Sequence, residues 1–158
     1  YCKLYYPFNG DILNYASGSG VSSSATTYLG TGCALSTTKF VTGYGSLYNA
    51  GNTASGLQVS GIPTNKNGYT WSMWFYPTDV ANANTQPLFS MTNGLYTTPT
   101  ESKQYYLYLN TGSIGIFARG LGGGTSNIVK LTANTWYHIV WTLSLNSKSN
   151  VYLNGLNV

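Results

Sequence analysis

Apolar and polar positions alternate with a period of two along the clearest stretches of this chain, the mark of β-strands with one buried face. Over residues 136–145, Tyr137, Ile139, Trp141, Leu143 and Leu145 fall on one face, and Trp136, His138, Val140, Thr142 and Ser144 on the other. The first set is apolar without a break and predicts the core face of a long antiparallel strand. A polar connection follows, then Val151-Tyr152-Leu153, closed by Asn154-Gly155, the dipeptide that most readily takes positive φ in a tight turn. Residues 70–76 repeat the pattern, with Trp71, Met73 and Phe75 opposed to Trp74 and Tyr76. Both faces of that strand are aromatic, so one is expected to be covered and the other to line a concave surface. Residues 104–110 set Tyr105, Leu107 and Leu109 against Tyr106 and Tyr108, with residues 113–119 as the hairpin partner.

Weaker strand patterns occupy residues 3–8, 27–35, 39–48, 57–62 and 87–91. Asn9-Gly10-Asp11 ends the first of them as a turn. Residues 16–26 and 120–124 are small or glycine-rich and predict surface loops. No stretch carries a helical period, a heptad or an internal repeat. The expectation is an all-β chain: a two-sheet antiparallel β-sandwich of jelly-roll type. Tyr137, Ile139, Trp141, Leu143, Phe75, Trp71 and Leu107 are expected in its core.

Four stretches, in order, resemble laminin-G-like domains of the concanavalin A-like lectin/glucanase superfamily. W-Y-H-I-V-W-T at 136–142, a polar turn and V-Y-L-N-G at 151–155 are similar to the late hairpin of those domains. L-Y-Y-P-F-N-G-D at 4–11 resembles the opening strand and turn, T-G-Y-G-S-L-Y at 42–48 a G-x-G-S-L strand entry, and Y-T-W-S-M-W-F-Y-P at 69–77 the central strand. The resemblance spans residues 4–155 and implies a single concanavalin A-like domain over residues 1–158. It also implies further strands after Val158, pairing beside the first one. The segment Y-P-F-N-G-D-I-L-N-Y-A-S-G at 6–18 is most similar to the variants in large DNA viruses and microbial surface proteins.

Composition narrows the reading. At 158 residues one domain is the natural prior, and 15% aromatic residues give ample apolar surface for a core. Only 6% of residues are charged, and the net charge of +4 is dispersed over seven separate basic residues. No basic stripe forms, which argues against nucleic-acid binding. No apolar run approaches the roughly 18 residues that span a bilayer, so no membrane insertion is expected. A surface kept soluble by hydroxyls and amides suits a component of an assembly, or one displayed outside a cell. Sixteen asparagines stand without one N-x-S/T sequon, where random order would give about four. That points away from a glycosylating secretory route and towards a virion surface or a non-glycosylating maker.

The candidate chemistry is sparse. Glycoside hydrolysis needs two carboxylates across one bond, and Asp11, Asp79 and Glu101 are the only acidic residues, far apart in sequence. His138 is the single histidine, mid-strand, and is read as a packing or hydrogen-bonding residue. One His and two Cys cannot fill a zinc site. The chain is therefore expected not to be an enzyme. Asn9, Asp11 and Asn14 form an oxygen-rich cluster that is either a calcium site or an Asx-type turn. Cys2 and Cys33 are either a disulfide or two separate thiols. Trp74, Tyr76, Tyr106 and Tyr108 are the candidate binding surface, aromatic rings able to stack on sugars or on a partner's side chains; the alternative is that another sheet or loop covers them. Two functions follow, the first favoured and the second its alternative. One is a structural or interaction module of a virion or extracellular assembly, with neighbouring structural proteins as partners. The other is a lectin domain that binds glycans.

Overall fold

The computed structural model describes residues 5–6, 26–49, 57–60, 68–81, 85–93, 103–118, 123–143 and 149–158. Every regular element among them is a strand, and every strand pairing is antiparallel. The strands fall into two units, Tyr1–Pro63 and Thr64–Val158.

The first unit holds two short ladders. Strand β1 (Thr26–Leu29) pairs with β4 (Leu57–Ser60), and β2 (Cys33–Ser36) with β3 (Ser46–Asn49). The glycines that interrupt the weak strand pattern of residues 27–35 mark a turn between two strands. Cys33 N–H donates to the Gly30 carbonyl at 3.1 Å, and Gly32 takes φ +85°, a conformation open to glycine. In the same way only the end of 39–48 is extended, because Gly43 turns the chain with φ +75°.

The second unit is a β-sandwich. One sheet has the order β12-β11-β10-β5, from β5 (Tyr69–Phe75), β10 (Tyr137–Leu143), β11 (Ser149–Leu153) and β12 (Leu156–Asn157). The other is a meander of β6 (Gln86–Asn93), β7 (Lys103–Asn110), β8 (Ser113–Ala118) and β9 (Gly123–Lys130). Ile139, Trp141 and Leu143 from β10, Phe75 from β5, and Val151 and Leu153 from β11 are buried in one cluster with Leu107 and Leu109 of β7, Ile114 of β8 and Leu131. The alternating pattern thus aims both sheets at a common core. Trp141 is at its centre with 0% exposure. Its cross-strand partner Trp71 lies with ring centroids 4.8 Å away, and Trp71 reaches Phe89 of the facing sheet at 4.7 Å. The indole Nε1 of Trp141 donates to Ser149 Oγ at 2.6 Å, so the one polar atom of this ring is satisfied. Trp71 and Tyr137 from the expected core are half-buried and pack against the cluster.

Two hairpins close on two-residue turns with both central residues at positive φ, Asn154-Gly155 (50°, 85°) and Thr111-Gly112 (47°, 75°). This is the turn whose twist matches that of its strands. Two irregularities bend the meander. The β6–β7 register shifts between Pro87 and Phe89, and the β8–β9 register between Ile114 and Ile116, where Asn127 takes φ +58°.

Candidate functional site

The residues of a strand that do not face the core face outward, and here they carry rings. On β7, Leu107 and Leu109 point in, so Tyr106 and Tyr108 point out. In register, Tyr106 is opposite Phe117 of β8, their ring centroids 5.8 Å apart. Tyr108 is opposite Gly115 on one side and Pro87 on the other. A Cβ built on Gly115 would come within 2.4 Å of the Tyr108 ring, so the ring lies over bare backbone. Glycine at this position is what allows the tip of the tyrosine to come this close to the backbone. Tyr106, Tyr108, Phe117, Pro87 and Thr85 line a depression of about 290 Å³. At its edge Asn110 Nδ2 donates to Thr85 Oγ1 at 3.0 Å.

The outer face of the other sheet holds a second aromatic group. Trp74 is 49% exposed and packs, tilted by 34°, with its ring centroid 4.9 Å from that of His138, directly across on β10. His138 Nε2 shares a 2.8 Å hydrogen bond with Ser72 Oγ. The His138 backbone is clamped at both ends, its N–H donating to Asn154 Oδ1 at 2.9 Å and its carbonyl accepting from Asn154 N–H at 2.8 Å. Next along, Tyr76 meets Trp136 with centroids 5.2 Å apart.

The four aromatic residues singled out from sequence therefore divide into two pairs on two sheets, Tyr106 with Tyr108 and Trp74 with Tyr76. Phe117 and Pro87 were missed, although the alternation of residues 113–119 places Phe117 on the face opposite Ile114 and Ile116. A wider depression of about 600 Å³, lined by Thr111, Ser113, Asn127, Ile128, Val129 and Lys130, offers no ring for stacking. Asn9, Asp11, Asn14 and Cys2 lie outside the described residues. Cys33 opens β2 and is half-buried. No cluster of three His, Cys, Asp or Glu residues able to hold a metal occurs among the described residues, and no described helix is long and apolar enough to cross a membrane.

A hydroxyl and an imidazole 2.8 Å apart are the beginnings of a nucleophile–base pair. Such a pair needs a third group to orient the base and donors for the developing oxyanion. The partners of His138 among the described residues are Ser72, Trp74 and Asn154, none of them a carboxylate. The geometry is that of a hydrogen bond that steadies the imidazole against the indole.

The laminin-G family model of the concanavalin A-like lectin/glucanases superfamily matches residues 50–158, a span that includes the whole sandwich and both aromatic faces. No curated protein and no solved structure matches the chain.

Proposed function

We propose, because the chain belongs to the concanavalin A-like lectin/glucanases superfamily, that it is a non-catalytic binding module displayed on a virion or extracellular surface. Its ligand is a glycan, held against the outward aromatic face of the meander sheet. The observation that carries this reading is the Tyr106–Tyr108–Phe117 floor with its bare Gly115. Rings held on the outer face of a sheet offer apolar surface on which the C–H face of a pyranose stacks, while the hydroxyls of Thr85 and of the two tyrosines can bond sugar hydroxyls. The acidic inventory of three residues supports binding without cleavage, since hydrolysis by paired carboxylates needs two of them at one bond.

A second reading is a structural module whose aromatic face receives side chains from neighbouring proteins of the assembly. The low charge, 6% of residues, favours it, because such a surface is better suited to an assembly than to free solution. One experiment separates the two. The purified chain and its Tyr106→Ala/Tyr108→Ala variant are applied to a glycan array. Selective binding that the variant loses supports the glycan reading. Silence of the wild type across the array discards it and leaves the structural module.

A further inference from the structure

Both aromatic faces belong to one sandwich, and their directions are fixed by what the same strands bury. Phe75 of β5 and Leu107 and Leu109 of β7 sit in one core cluster, and Trp71 touches Phe89 across the sheets. Trp74, adjacent to Phe75, and Tyr106 and Tyr108, alternating with those leucines, must then leave the sandwich on opposite sides. Packed sheets lie about 10 Å apart, so the rings of the two faces are separated by the full thickness of the module. A single extended ligand chain lying on one face cannot reach the other.

Each face is also set in advance. Trp74 rests on His138, which Ser72 and Asn154 hold in place. Tyr108 rests on Gly115, and Tyr106 on Phe117. Rings fixed before binding lose little freedom when a ligand arrives. Beside the rings stand Thr70, Ser72 and Thr142 on one face and Thr85 and Asn110 on the other, where Lys130 also lies, opposite Ser113 on the last strand of the meander. Rings flanked by hydroxyls and amides match a ligand rich in hydroxyls with an exposed C–H face.

We infer that the module is bivalent, each face taking one chain of a polysaccharide, so that a single copy joins two chains. This rests on the glycan reading and adds a cross-linking function to it.

The test uses the full 158-residue chain with cellohexaose and laminarihexaose as short probes in calorimetry, and soluble high-mass β-glucan in light scattering. The expected stoichiometry is about two hexaoses per chain. Trp74→Ala and Tyr108→Ala should each halve it, with the remaining site unchanged, and Trp74→Tyr should restore it. Both residues point outward, and thermal melts check that the variants stay folded. The wild type should raise the scattering of the high-mass glucan by joining its chains, and either alanine variant should bind that polymer without joining it. A stoichiometry of one, indifferent to Trp74→Ala, overturns bivalency while the glycan reading stands. Absence of wild-type binding to either hexaose overturns the inference, and silence on the glycan array as well removes the reading beneath it.

Discussion

Gly115→Ala is the smallest change that tests how the aromatic floor is built. The added methyl would meet Tyr108 Cζ at 2.4 Å and Cε2 and Oη at 2.6 Å, well inside van der Waals contact. Gly115 is not among the positive-φ residues, so alanine suits its backbone and the conflict is with the ring alone. The ring is the far end of a rotatable side chain and will swing off the sheet. Crowding of this kind costs about 1–3 kcal/mol, and alanine recovers about 0.5–1 kcal/mol over glycine in a strand. The net loss is therefore between zero and about 2.5 kcal/mol. A chain of 158 residues should show it as a fall in Tm of roughly 2–4 °C per kcal/mol. In a Tyr108→Ala background the obstacle is gone, and Gly115→Ala should be neutral or stabilising by up to about 1 kcal/mol. The double-mutant cycle then gives a coupling of about 1–3 kcal/mol between the two positions. Urea unfolding of the four proteins measures it. If the two changes add within about 0.5 kcal/mol, the ring does not rest on the glycine and the account of the floor is wrong.

Trp141→Ala should cost about 3–5 kcal/mol in denaturant unfolding, as a fully buried large ring that also leaves Ser149 without its indole partner. Trp141→Phe, which keeps an aromatic ring and loses the 2.6 Å bond, should cost only about 1–2 kcal/mol. Thr111→Asn should stabilise by about 0.5–1 kcal/mol, because φ +47° is strained for a β-branched residue and asparagine tolerates it; a lower Tm would refute this. His138→Ala should leave binding at the Tyr106–Tyr108 face unchanged, and a serine-directed phosphonate should fail to label Ser72. Labelling that disappears in His138→Ala would show that the pair is a working nucleophile and base.

The sandwich was legible where one period runs undisturbed. Ile139, Trp141 and Leu143 alternate with smaller or polar neighbours and are the buried set, and the Asn154-Gly155 turn was explicit in its two residues. What escaped was β9. Its first residues are glycine, serine and threonine, and the positive φ of Asn127 breaks the alternation just before Ile128 and Val129, so the strand reads as part of the glycine loop. The site was half legible. Period two states which rings leave the core, but pairing register decides which rings meet, and register is set by turns and bulges rather than by the strand pattern. Hence Tyr106 with Tyr108 was foreseeable, whereas Tyr108 over Gly115 and Trp74 over His138 depend on the Thr111-Gly112 turn and on the pairing of β5 with β10.

Pro87 bears on how this molecule behaves at high concentration. Among the described residues β6 is an outer strand of its sheet, and an outer strand is a template on which a second molecule can extend the ladder. Most proteins discourage that with lysines along the edge, a device this sparsely charged chain uses little. A proline lacks the N–H that a docking strand would need, and the register shift beside it twists the edge out of line. At this edge, resistance to an added strand therefore rests on one imino acid and one misalignment rather than on charge. Pro87→Val should leave the monomer's melting point nearly unchanged while hastening fibril or precipitate formation in proportion to concentration.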